Sequence, residues 1–168
     1  MHRMLTTMAS LALAGALTLP CGCTREEPIK SPFKDDFERP EVGSNYFNTG
    51  GPYRIVGGKL NVRGAYNHPL WLKKKLPRDA VVEFDVMSRT ADGDIKVEVW
   101  GDGQHHATTR GAYLATSYVF IMGGWGNTIS ALCRMDEHSD DRKTRRDVKV
   151  EPGKVYRWKI RRKGTLVE

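Results

Sequence analysis

Apolar and polar side chains take turns along short stretches of this chain, and the clearest alternation leads into the segment from Tyr118 to His138. Tyr118, Phe120 and Met122 alternate with Val119 and Ile121. After a glycine-rich connection, Ile129, Ala131, Cys133 and Met135 alternate with Thr128, Ser130, Leu132 and Arg134. A repeat of two belongs to an extended strand, whose successive side chains leave on opposite faces. Two strands are therefore predicted to meet across Gly123, Gly124 and Gly126, where the missing side chains let the backbone bend or a ligand come close. Trp125 and Asn127 add a flat apolar ring and an amide to that connection, and Arg134, Glu137 and His138 sit at the end of the second strand. Ligand-type groups are densest here.

The rest of the chain reads in the same way. Phe33 and Phe37 bracket Asp35 and Asp36 in a short first strand that Pro40 ends, and Gly43 to Pro52 is a turn-rich loop. Tyr53 to Val56 and Lys59 to Val62 flank Gly57-Gly58, a pair suited to the positive φ angles of a type I′ turn, so a hairpin is predicted. Asn67-His68-Pro69 bends the chain before Leu70-Trp71-Leu72, and Lys73, Lys74 and Lys75 suit a solvated edge. From Ala80 to Ser88, Val82, Phe84 and Val86 lie opposite Val81, Glu83, Asp85 and Met87, the pattern of a sheet buried on one face. In Ile95 to Trp100, Ile95, Val97 and Val99 are expected inward and Lys96, Glu98 and Trp100 outward. Gly101 to Gly111 has no period, and Asp136 to Asp147, with Arg142, Lys143, Arg145 and Arg146, reads as a solvated loop. Asp147 to Val150 and Val155 to Arg161 are strands around Pro152-Gly153, and Leu166 opens a last one. Beyond the N-terminus no stretch has a helical apolar period. The strands imply an all-β fold, a two-sheet sandwich or jelly roll.

The N-terminus follows another logic. His2 and Arg3 precede an apolar run from Met4 to Leu19 and then Pro20-Cys21-Gly22-Cys23, the layout of a secretory signal. The run is shorter than the roughly 20 apolar residues of a membrane-spanning helix. Small residues before a cysteine resemble the lipobox of bacterial lipoproteins, which implies lipidation at Cys23, with Cys21 as the other candidate. Residues 1–23 are then a lipoprotein signal peptide, 24–32 a polar tether, and 33–168 one domain, long enough for a real core. The address implied is the bacterial cell envelope, periplasm-facing or surface-exposed, with membrane contact through the lipid alone. Cys133, on the face of Ile129 and Ala131, is expected to be buried and unreactive.

Composition narrows the partners. Lys and Arg number 27 against 20 Asp and Glu, a net charge of +7, which favours polyanions in general and otherwise makes a solvated surface. Arg142 to Arg146 has no interleaved aromatics, and an exported protein seldom meets nucleic acid, so nucleic acid is not an expected partner. His105-His106 with Asp102 lacks the paired spacing of structural zinc sites, and Asp92-Gly93-Asp94 is too short for an EF-hand loop. No cofactor or metal site is expected from these motifs.

Several motifs occur in order: Asp36-Phe37-Glu38, Gly58-Lys59-Leu60, Asn67-His68-Pro69-Leu70-Trp71-Leu72, Val81-Val82-Glu83-Phe84-Asp85, Gly123-Gly124-Trp125-Gly126-Asn127, and Pro152-Gly153-Lys154-Val155-Tyr156-Arg157-Trp158. Together they resemble the concanavalin A-like lectin/glucanase superfamily, and within it laminin G-like and polysaccharide-associated bacterial domains. The resemblance implies a two-sheet jelly roll whose concave sheet binds carbohydrate, with a calcium ion near a loop edge in some relatives. It also implies closing strands after the turn at Lys163-Gly164, which would lie beyond Glu168. Retaining glucanases of that superfamily carry Glu-x-Asp-x-x-Glu on one strand to supply nucleophile and acid. Here Glu83 and Asp85 begin the pattern and Ser88 holds its third place, so an ordinary exposed strand face is expected.

The function expected is that of an exported, lipid-anchored, non-catalytic carbohydrate-binding jelly roll. Trp125 and Trp100 would stack on sugar rings, while Asn127, Arg134, Glu137 and His138 would hydrogen-bond a neutral or acidic oligo- or polysaccharide. A glycan hydrolase or lyase using Glu137 and His138 is a second reading, and it needs a loop to turn both side chains to one substrate. A structural envelope lipoprotein without small ligand is the third.

Overall fold

The computed structural model describes residues 27–30, 32–107 and 113–168, so the expectations for the signal and for Cys21 and Cys23 lie outside the described residues. In chain order the strands are β1 (Glu27–Pro28), β2 (Tyr46–Asn48), β3 (Arg54–Ile55), β4 (Leu60–Asn61), β5 (Leu70–Leu72), β6 (Lys74–Lys75), β7 (Ala80–Val86), β8 (Ile95–Val99), β9 (Tyr118–Gly123), β10 (Ile129–Arg134), β11 (Lys143–Arg145), β12 (Tyr156–Lys163) and β13 (Leu166–Val167). The longer ones build two antiparallel sheets, ordered β11-β10-β9-β8 and β13-β12-β7. Short antiparallel pairs β2–β5 and β3–β4 and a parallel pair β1–β6 complete an all-β arrangement of the described residues. No helix among the described residues is long and apolar enough to cross a membrane.

The hairpin forms as its glycines dictate. Gly57 and Gly58 have φ of 55° and 65°, and Val56 and Lys59 exchange backbone hydrogen bonds of 2.9 and 3.2 Å across them. Other segments depart from the alternation. Residues 32–38 form no strand; Asp35 instead accepts two hydrogen bonds from Arg39, at 2.6 and 2.8 Å, and one from the Tyr46 hydroxyl at 2.7 Å. The Arg39 guanidinium holds the Asp35 carboxyl down at about 2. The loop expected over 43–52 contains β2, whose partner is β5. Glu27–Pro28, expected within a tether, pairs with Lys74–Lys75. The charged loop contains β11, which continues the larger sheet beyond β10. Asp147 to Val150 is not a strand; the side chains of Asn127, in the β9–β10 connection, and of Ser130, in β10, hold it.

Pairing fixes the faces. Val119 lies opposite Cys133 and Ile121 opposite Ala131, and these four form a buried cluster with Tyr113. Burying Val119 and Ile121 contributes roughly 1.5–3 kcal/mol each. Cys133 is 1% exposed, and burial, reinforced by Glu137, pushes its thiol up, as suits an inert sulfur. Lys96 pairs with Ile121 and Glu98 with Val119, so both stand on this covered face; their expected outward orientation is corrected by the register. In the smaller sheet Phe84 meets Trp158 with ring centroids 5.4 Å apart, and Ile160, 2% exposed, shares their face. On its other face Glu83 pairs with Lys159 and Asp85 with Arg157, all well exposed, as expected of that strand.

Candidate functional site

β9 and β10 are joined by a turn that no ordinary run of residues would adopt. Gly123, Trp125, Gly126 and Asn127 all have positive φ, 65°, 51°, 66° and 60°. Glycine enters that region freely and asparagine tolerates it, but for a tryptophan it carries strain, which costs on the order of 1–3 kcal/mol. A side chain at Gly123 would strike the Asn127 amide oxygen and Val150. The turn thereby lifts Trp125 to the surface, where it is 37% exposed.

Two groups flank that ring, His138 and Arg142. After β10 ends at Arg134, Met135 takes φ of 68° and the chain folds back across the covered face. His138 meets the Trp125 ring edge-on, centroids 5.7 Å apart, and the Arg142 guanidinium lies 5.2 Å from its centroid. Arg142 also donates to the Glu137 carbonyl at 2.8 Å. The His138 Nε2 is 3.6 Å from Glu137 Oε1, so a turn brings together two neighbours that a strand would point apart.

Glu137 itself is inside, 6% exposed. Lys96 Nζ approaches its Oε2 at 2.7 Å but outside hydrogen-bonding angles, so charge attraction rather than a directed bond matches that oxygen. Lys96 also lies 5.5 Å from the centroid of the Tyr113 ring. The Tyr113 hydroxyl donates to Glu98 Oε2 at 2.5 Å, and burial, reinforced by Glu98, raises the phenol above its ordinary range. Glu98 Oε1 accepts from the Thr116 N–H, the Thr116 hydroxyl and the Ser117 N–H, so Glu98 is an acceptor at full use that fastens residues 113–117.

The remaining candidates are elsewhere or otherwise engaged. Asn127 donates to the Val150 carbonyl at 2.8 Å and accepts from the Val150 N–H at 2.8 Å, so its amide clamps the chain instead of facing a ligand. Arg134 pairs in register with Tyr118, on the face opposite Cys133, and its guanidinium is 3.9 Å from Asp141. Trp100 falls beyond β8 at the far end of β9, roughly 17 Å along the strand at about 3.4 Å per residue. Its indole N–H donates to the Pro77 carbonyl, Tyr118 meets it edge-on, and Arg162 lies 5.8 Å from both rings. The structure thus brings Trp125, Glu137 and His138 together, while the Asn127 amide is spent on Val150, Arg134 faces Asp141, and Trp100 lies at the far end of β9. Lys96 and Arg142 join them, and no local period announces either.

His105 Nδ1 bonds the Asp102 carboxylate in a tight local turn, and His106 faces the Gln104 carbonyl at 3.1 Å. Among the described residues, no three His, Cys, Asp or Glu side chains converge as a metal ion would need. No family model, curated protein or solved structure matches this chain.

Proposed function

We propose that this chain is an exported, lipid-anchored carbohydrate-binding domain without catalytic activity, its strands arranged as a two-sheet jelly roll. The observation that carries the binding reading is the Trp125 ring, raised to the surface on a strained turn and bordered by polar groups rather than packed into the core. A partly exposed aromatic beside hydrogen-bond donors is the combination that holds a sugar ring, apolar on its faces and hydroxylated at its rim. The signal-like run before Cys23 supports export and anchoring.

Hydrolysis has less support. Glu137 is buried and ion-paired with Lys96, and Glu83 and Asp85 are engaged by exposed cations on the outer face of the other sheet. Isothermal titration of the parent chain and Trp125→Ala against a panel of neutral and acidic oligosaccharides tests the proposal. Loss of the stacking ring should weaken binding about tenfold, equivalent to roughly 1.4 kcal/mol. Equal affinity of the two chains for the same glycan would remove Trp125 from the site.

A further inference from the structure

Resting on the carbohydrate reading, we infer that the sugar held at Trp125 is anionic, a pyranose bearing a carboxylate, with Arg142 as its counter-charge and the indole as its platform. The argument starts from the charges that border the ring. Arg142 lies 5.2 Å from its centroid and His138 touches it edge-on. Three of the four carboxylates between positions 136 and 142 are already engaged, and the fourth, Asp140, is exposed and makes no ion pair with Arg142. Glu137 is buried against Lys96. Asp136 accepts the His138 backbone N–H at 2.8 Å, while Asp141 accepts the Ser139 hydroxyl at 2.7 Å and faces Arg134.

Arg142 is different. Its side chain donates one hydrogen bond, to the Glu137 carbonyl, and among the described residues no carboxylate pairs with it. A guanidinium has five N–H donors in a rigid fork whose geometry matches a carboxylate. Half-buried beside an aromatic face, with donors unspent, it is set to complete its pairing with an acid brought by the ligand. A neutral sugar would use the ring and leave this charge unmatched.

The test uses matched polymers: polygalacturonate and alginate against their methyl esters, with dextran sulfate as a polyanion of different geometry. Affinities are measured by titration calorimetry for the parent chain, Arg142→Gln and Arg142→Lys. The acids should bind at least about tenfold tighter than the esters and tighter than dextran sulfate. Arg142→Gln should weaken acid binding at least about tenfold and abolish the preference for acid over ester, and Arg142→Lys should restore part of it. Equal binding of acid and ester would overturn the anionic ligand and leave the carbohydrate reading intact. Preference for dextran sulfate would reduce the effect to charge alone and overturn it as well. An undiminished acid preference in Arg142→Gln would overturn the role of Arg142, provided its circular dichroism matches the parent. If no polymer and no oligosaccharide of the neutral panel binds, both proposals fall together.

Discussion

Lys96 and Glu137 show how a charged pair can hide behind a strand pattern. Lys96 alternates with apolar neighbours, so a reader of the sequence sends it to solvent. The register instead sets it on the covered face, 2.7 Å from a glutamate 41 positions later in the chain. What covers it, Tyr113 and the fold-back after Arg134, comes from segments without any period. Side-chain alternation tells which residues share a face, not which face is roofed. Removing one member of a buried pair leaves the other uncompensated, so Lys96→Met should cost roughly 3–5 kcal/mol in urea denaturation. The double variant Lys96→Met with Glu137→Leu should recover much of that loss. Additive losses would mean that the two charges do not depend on each other.

At the scale of elements, the legible parts were those whose geometry is decided locally. Gly57-Gly58 determines its own turn, and β7, β9, β10 and β12 follow from alternation carried over several residues. The stretch from Asp147 to Val150 misleads because its anchor is remote. Asn127 grips both backbone groups of Val150, and the Ser130 hydroxyl donates to the Val148 carbonyl at 3.0 Å, so side chains replace the ladder of a strand. Arg142 is missed for a related reason: its aromatic partner is supplied by another segment, not interleaved with the basic run. Asn127→Gly keeps the left-handed backbone available and removes only the amide. It should lower stability by roughly 2 kcal/mol, with two bonds to a buried residue lost, and speed hydrogen exchange at the Val150 amide. Unchanged exchange at Val150 would show that the clamp is dispensable.

Across the whole molecule, the net charge of +7 is not spread evenly over its surfaces. The outer face of β7 and β12 neutralises itself through Glu83–Lys159 and Asp85–Arg157, and exposed pairs of this kind contribute about 1 kcal/mol or less each. The rim of Trp125 has no such balance at Arg142. The aromatic residues divide in the same way: Trp71 is buried with its indole N–H on the His105 carbonyl, Trp158 packs on Phe84, and Trp100 is bracketed by Tyr118 and Arg162. Trp125, 37% exposed, is the most exposed of the four tryptophans and the one bordered by both His138 and Arg142. The most direct measurement is therefore the indole N–H spectrum of the isotopically labelled chain during titration with an oligogalacturonate. The Trp125 resonance should move in a saturable way while those of Trp71, Trp100 and Trp158 stay in place; a saturable shift at Trp100 with Trp125 unmoved would contradict the account.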